Sequence, residues 1–291
     1  MKLFNNIIFY NHYGAGDLLE SKEFVKAYIE RLPAEIYSYA HGKNPRMFAD
    51  IPNLQAIKVE DWMPMRTDTA YVNDRNLIIN TWIGRDSKYV LPGIGCTIEK
   101  LCEMHNDILF KLKVSPLEKS IIDYAPQTDW KFFRIQPVKS WLEQHPERKI
   151  LISNGPVQSN QAENFDMTYA IKMLADHYRH ITFIITQPID TDAENIILST
   201  NITNPSDGFD LNEIAYLSLS CDTFIGRNSG PHVFAQNYYN WIDPKKASLS
   251  FTYESIASHN FYTSVVQMKR YWCKKTDTNK VFEACCKVIE R

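Results

Sequence analysis

The sequence predicts an α/β protein of two domains, each built on a parallel, doubly wound sheet. Three observations point there. Short apolar runs alternate with amphipathic helical patterns through both halves of the chain. Each half opens on an apolar run that leads into a turn rich in Gly or Asn, and then into a helix. Between the halves, over residues 127–146, apolar periodicity fades and charges gather, while Pro116, Pro126 and Pro137 punctuate the middle of the chain. We therefore expect domains over residues 1–135 and 136–291.

In the first half, residues 6–10 are apolar and read as a buried strand, followed by the turn Asn11-His12-Tyr13-Gly14-Ala15-Gly16-Asp17. Leu18, Val25, Tyr28, Ile29 and Leu32 then recur at helical spacing, with Glu20, Lys22, Glu23 and Lys26 between them. Asp17 with Glu20 three residues on is close to a capping box. The Gly-x-Gly here lacks the third glycine of a dinucleotide fingerprint. Strands are expected at 34–38, 55–59 and 76–80, and a loop at 82–95. Ile98, Leu101, Cys102, His105, Ile108, Leu109 and Leu112 mark a long helix with His105 on its apolar face, as a core histidine.

The second half restarts at strand 149–153 and a polar loop, Asn154-Gly155-Pro156-Val157-Gln158-Ser159-Asn160-Gln161. Met167, Ala170, Ile171, Leu174 and Tyr178 share one helical face, and 181–186 is a buried strand. Residues 192–199 suit a short helix and 201–204 a short strand. Asp210 and Glu213 suit a capping box on the next helix, which turns Leu211, Ile214, Ala215 and Ser218 inward. Residues 222–225 are a strand. A closing helix over 279–290, with Val281, Ala284, Cys285 and Val288 inward, has the option of packing back on the first domain.

The stretch Gly226-Arg227-Asn228-Ser229-Gly230-Pro231-His232 lies between a strand and a helix. Gly226 and Gly230 permit close backbone approach, and Pro231 suits a first helical turn. Free N–H groups at such a turn, with the positive end of the helix dipole, bind phosphate. The same residues also suit an ordinary turn with Ser229 as the cap. Tyr238, Tyr239 and Trp241, and Tyr271 with Trp272, could stack on a sugar or base but equally suit packing.

Totals narrow the function classes. The chain has 291 residues, 44% hydrophobic, with a formal net charge of -2 and a pI near 6.5. Nothing there predicts bulk nucleic-acid binding. The six cysteines, Cys96, Cys102, Cys221, Cys273, Cys285 and Cys286, have no C-x-x-C spacing, so buried reduced thiols are expected rather than a zinc site. The N-terminus has no signal-peptide pattern, and no apolar run nears the ~20 residues of a membrane helix. A soluble, cytoplasmic protein without stable membrane insertion is expected.

The stretch "ILISNGPVQSNQAENFDMTYAIKMLADHYRHITFIITQP … DLNEIAYLSLSCDTFIGRNSGPHVFAQ" resembles the C-terminal domain of heptosyltransferase-type glycosyltransferases of family 9. The stretch "NIIFYNHYGAGDLLESKEFVKAYIERLP" is similar to that family's opening strand, glycine turn, Asp and helix. The resemblance covers roughly residues 5–33 and most of 148–237. It implies a GT-B architecture: two Rossmann-like domains facing across a cleft, acceptor on the first and nucleotide-sugar on the second. It also implies inverting, metal-independent transfer of a sugar from a nucleotide-diphosphate sugar, as substrate and with no cofactor, to an acceptor hydroxyl. Two departures stand out. Asn228 replaces the Asp before Ser/Thr-Gly, and Arg227 stands where a small or neutral residue is usual, so heptose itself does not carry over.

By this resemblance Asp17 is the general base, with His12 in reserve, although a helix N-terminus should lower a carboxylate's pKa and weaken it as a base. Gly14 and Gly16 let the acceptor or a phosphate approach. Asn154, Gly155, Gln158 and Asn160, with Arg227, Asn228, Ser229, Gly230 and His232, form the donor side, and Arg227 or His232 could add positive charge. Residues 204–211 are where such folds hold the base. The acceptor is a glycolipid, a protein, a small molecule or, less in keeping with the charge, a modified nucleic acid. A non-catalytic nucleotide-sugar-binding or scaffold protein, or a sugar-nucleotide epimerase or hydrolase on the same fold, stays open as an alternative.

Overall fold

A computed structural model describes residues 4–60, 63, 70–83, 87–90, 97–117, 120–158, 162–253 and 266–291. Asn160, Cys96 and much of the loop expected at 82–95 lie outside the described residues. The described residues fall into two compact units, those up to Asp129 and those from Trp130 onward, where the sequence placed the boundary at 135/136.

The first unit runs β1 (Phe4–Tyr10), α1 (Ala15–Glu20), α2 (Lys22–Arg31), β2 (Ala34–Ala40), β3 (Leu54–Ile57), β4 (Ala70–Asn73), β5 (Asn76–Asn80) and α3 (Ile98–Lys111). Its sheet has the order β3-β2-β1-β5-β4, parallel except for β4, which pairs antiparallel with β5 as a hairpin. The sequence did not signal β4, whose residues are half-buried or exposed and show no apolar run. β1 sits centrally, in register with both β2 and β5. Ile7 and Phe9 point to one face and Tyr10 to the other, where it packs with Ala40, Met63 and Ile78.

The helix expected after β1 is two helices joined at Ser21, and its polar residues are not all outside. Lys22 is fully buried and pairs with Asp50 at 2.7 Å. Glu23 accepts from the Gln127 N–H at 3.1 Å, Asp50 from the Asp129 N–H at 3.0 Å, and Lys26 donates to the Gln127 carbonyl at 3.0 Å. This ionic knot ties the end of the unit back onto α2. His105 is the core histidine expected: it stacks on Phe24 at 4.3 Å and shares a 3.0 Å hydrogen bond with the Tyr28 hydroxyl, and burial lowers its pKa to about 3.

The second unit runs α4 (Gln136–Gln144), β6 (Lys149–Ser153), α5 (Thr168–His177), β7 (Thr182–Ile185), β8 (Ile196–Leu198), α6 (Ser199–Thr203), α7 (Leu211–Ser218), β9 (Thr223–Arg227), α8 (Gly230–Ala235), α9 (Tyr238–Trp241), β10 (Ala247–Phe251), β11 (Lys269–Cys273) and α10 (Thr278–Ile289). Its sheet is wholly parallel in the order β11-β10-β9-β6-β7-β8. The edges are the three-residue β8 and β11, whose Lys269, Tyr271 and Trp272 are exposed.

Three sequence expectations are corrected here. The region read as a linker contains α4, with Pro137 in its first turn, where a missing N–H costs nothing. Residues 196–203 are strand then helix, the reverse of the expected order. Asp210 occupies the N-cap of α7 without a side-chain cap and accepts from the Thr203 hydroxyl at 2.9 Å instead. The closing helix α10 turns the expected face inward: Val281, Cys285 and Val288, with Ile289, join Ile171, Leu174, Ala247 and Leu249 in one core, and Ala284 packs against it. Of the five described cysteines, all free, only Cys221 and Cys285 are buried. Among the described residues no helix is long and apolar enough to cross a membrane.

Removing one partner of a buried ion pair strands the other charge. Lys22→Met should therefore destabilise the first unit by about 3–5 kcal/mol, measurable as a lower midpoint in urea unfolding, whereas Lys26→Met, at a partly exposed pair, should cost ~1 kcal/mol or less.

Candidate functional site

Both turns singled out in the sequence fall where an open parallel sheet reverses direction. In the first unit β1 is followed by β2 and β3 on one side, while β5 returns to its other side. The turn after β1 therefore opens at the carboxyl end of the central strand. In the second unit β7 and β8 extend to one side of β6, and β9, β10 and β11 to the other. The loop after β6 and the turn after β9 thus flank the crevice in which such sheets bind ligands.

In the first unit the helix starts at Ala15, so the turn is only residues 11–14 and Gly16 lies inside the first helical turn, not on a loop. Gly14 is the N-cap, and its N–H donates to Asp17 Oδ2 at 2.9 Å. Asp17 is therefore the third helical residue, reaching back to the cap, rather than the cap itself. A Cβ on Gly14 would lie 3.2 Å from that oxygen. The Asp17 pKa is raised to about 6, because burial outweighs the two backbone hydrogen bonds and the charge of Lys43, which pull it down. The expected depression at a helix N-terminus is thus overridden, and the group is better suited to accept a proton near neutral pH. Glu20 follows at helical i,i+3 spacing, and burial together with Asp17 pushes its carboxyl well up. Beneath them runs a buried hydroxyl chain: Tyr39 bonds Ser21 at 2.7 Å and Thr81 at 2.8 Å. Burial raises the Tyr39 pKa to about 12. His12 lies edge-on to Tyr10, and its Nε2 is buried with no partner among the described residues.

In the second unit, Gly226 and Arg227 belong to β9, and the turn proper is Asn228-Ser229. Gly226 is needed for a close approach, but to the chain itself. A Cβ there would come within 2.7 Å of the Cβ and carbonyl oxygen of Ser153, its partner on β6. Gly230 has ordinary space, with Leu211 at 3.5 Å.

Arg227 is buried and turned toward the loop after β6. Its Nη1 donates to the carbonyls of Asn154 at 2.9 Å and Gly155 at 2.8 Å, its Nε to Glu163 at 3.2 Å, and its Nη2 to Phe165. The guanidinium also lies over the Phe165 ring at 4.6 Å. Asn154 is likewise occupied: its Oδ1 accepts from the Thr186 and Gln187 N–H groups at 3.0 and 2.8 Å, and its amide donates to the Gln187 carbonyl at 2.9 Å. It sutures the end of β6 to the end of β7. Asn164, which the sequence reading passed over, closes the same loop on both polar groups of Val157. Gln158 is exposed.

His232 does not add charge. It is fully buried against β10, sharing hydrogen bonds with Ser250 at 3.0 Å and Ser248 at 3.3 Å, and burial drives its pKa down to about 3. The groups left over are Asn228, the first-turn N–H groups of α8, which have no intrahelical partners, and two hydroxyls. Ser229 sits at the N-cap but makes no side-chain cap bond. Its Oγ and that of Ser153, at the end of β6, are buried without partners among the described residues. Of the aromatic residues, Trp241 is core, whereas Tyr239, Tyr271 and Trp272 are exposed.

Two α/β units, each presenting a polar turn at its switch point, define the chain as a GT-B fold. Solved structures of that fold share it. One is a glycosyl transferase family 9 protein from Veillonella parvula, with TM-score 0.54 and 12% identity over 100% of this chain and 99% of that one. The E. coli heptosyltransferase WaaC is similar in its complex with ADP, with TM-score 0.51 and 10% identity, and in its complex with ADP-2-deoxy-2-fluoro heptose, with TM-score 0.50 and 10% identity; each covers 98% of this chain and 99% of that one. At these identities the likeness is one of fold, and the fold is heptosyltransferase-like. Neither a family model nor a curated protein matches the sequence.

The Asp17 pKa predicts a pH signature. From 3.8 to about 6 the folded chain keeps a proton that the unfolded chain has released, so stability falls as pH rises through that window, and the full penalty applies above it. Asp17→Asn removes the penalty while keeping an acceptor for Gly14. It should match the parent protein near pH 4 and be more stable at pH 7.5, by of order 2 kcal/mol after screening, in denaturant titrations at the two pH values.

Proposed function

We propose that this chain is a glycosyltransferase that moves a sugar from a nucleoside-diphosphate sugar to an acceptor hydroxyl, with inversion and without a metal. The observation that carries the reading is the crevice between β6 and β9. There the first turn of α8 and the hydroxyls of Ser153 and Ser229, which have no partner among the described residues, offer hydrogen-bond donors at the place where such sheets take nucleotides. The complex of a similarly folded heptosyltransferase with ADP supports a nucleotide as ligand.

The acceptor hydroxyl attacks the anomeric carbon while Asp17 takes its proton. The bond from that carbon to the diphosphate oxygen breaks with its electrons going to the oxygen. The growing charge on the leaving diphosphate is met by the N–H groups at Gly230 and His232 and by the side chains of Asn228 and Ser229. Positive charge from His232 has no part in this, since that ring is neutral.

Asp17→Ala should lower turnover by about 10²–10⁴-fold while leaving nucleoside-diphosphate affinity, read by calorimetry, close to that of the parent. Full turnover in Asp17→Ala would remove the assigned base. A thermal-shift screen in which no nucleoside diphosphate stabilises the chain would remove the donor site. Release of free nucleotide without any acceptor would point to the epimerase or hydrolase chemistry that the fold also supports.

A further inference from the structure

Arg227 is a buried cation solvated by the protein's own backbone. Four of its five N–H donors can be accounted for by carbonyls of one loop, at Asn154, Gly155, Glu163 and Phe165. These carbonyls come from the two arms of the loop, which leaves β6 at Asn154 and enters α5 at Thr168. Asn164 closes the same loop on Val157. Carbonyl dipoles solvate a charge but do not neutralise it. Among the described residues no carboxylate lies within ion-pair distance of Arg227, although Asp166 is near enough to favour its charged form. Buried charges are normally paired. Here one full positive charge sits at the last residue of β9, immediately before the turn Asn228-Ser229, with the hydroxyls of Ser153, at the end of β6, and Ser229, in the turn itself, unpartnered among the described residues.

The geometry points to Arg227 as a positioning residue for an anionic, diphosphate-bearing ligand: it locks the loop after β6 onto the end of β9 and leaves a net positive charge that the ligand completes. This deepens the nucleotide reading proposed above and rests on it. Arg227 need not touch the ligand. It holds the loop that forms one wall of the crevice and biases that crevice toward negative charge. An arginine suits this better than a lysine, because only the planar fork reaches several carbonyls at fixed angles. The preference it creates is for phosphate charge and not for the base or sugar.

The test compares nucleoside diphosphates with the corresponding nucleosides by calorimetry, for the parent, Arg227→Met and Arg227→Lys, each below its melting temperature. Arg227→Met should lose at least 10-fold in diphosphate affinity and less than 2-fold in nucleoside affinity. Arg227→Lys, which keeps the charge and loses the fork, should fall between, several-fold weaker than the parent for diphosphates. It carries the test if the methionine variant does not fold. A purely structural arginine would lower the melting temperature and leave the ratio of the two affinities unchanged. That result, or parental diphosphate affinity in a folded variant, overturns the inference while leaving the nucleotide site in place. A parent chain that binds no nucleoside diphosphate overturns the nucleotide reading, and this inference with it.

Discussion

The second unit depends on how tightly β6 and β9 approach one another at their carboxyl ends. Ser153 and Gly226 face each other across the ladder, and the space between them has no room for another carbon atom. That contact draws the loop after β6 and the turn after β9 to the same spot. It sets the next residue, Arg227, against the loop's carbonyls, and it leaves the Ser153 hydroxyl enclosed. A side chain at position 226 would separate the strand ends and, with them, every group assigned to the crevice. The first unit solves the equivalent problem with charge: Lys22, Asp50, Glu23 and Lys26 hold the segment around Gln127 and Asp129 beside α2.

Polar residues near the two switch points separate into those that hold backbone and those that do not. Asn154, Asn164 and Arg227 spend their hydrogen-bonding capacity on main-chain groups, which would otherwise be stranded in a turn that leaves no strand or helix to satisfy them. Ser153, Ser229 and His12 keep an enclosed polar atom without a partner among the described residues, and Asp17 keeps a carboxyl raised by burial. An unmade hydrogen bond in the interior costs more than a made one contributes. Such groups are therefore the ones whose presence folding alone does not explain.

Much of this was legible from spacing. β5, β6, α3 and the helix at α5 follow apolar runs or stripes whose period is unambiguous, and the alternation along the chain carries the fold class. β10 was missed because Ser248 and Ser250 interrupt its apolar residues. Both serines are buried and bond His232, a long-range pairing no local pattern reveals. β11 was missed because an edge strand needs no apolar face. At the site, the identity of the two turns was readable and the duty of individual side chains was not. Whether an arginine beside a phosphate-type turn faces a ligand or a carbonyl depends on where a loop some sixty residues away comes to rest, and whether an aspartate at a helix start is acidic or basic depends on how deeply the turn is enclosed.

The rim strands of the second sheet bear on the protein's colloidal behaviour. An edge strand is the part of a sheet that can template pairing with a neighbouring molecule. One border here is a strand of three residues, too short to recruit a partner ladder. The other reads Lys-Arg-Tyr-Trp-Cys and continues into Lys274 and Lys275, so two copies brought edge to edge would set like charges against one another. A row of like charges along an edge strand disfavours pairing of that edge with its own copy, and Lys274 and Lys275 continue the row at the carboxyl end of the strand, the end at which the crevice of this sheet also opens.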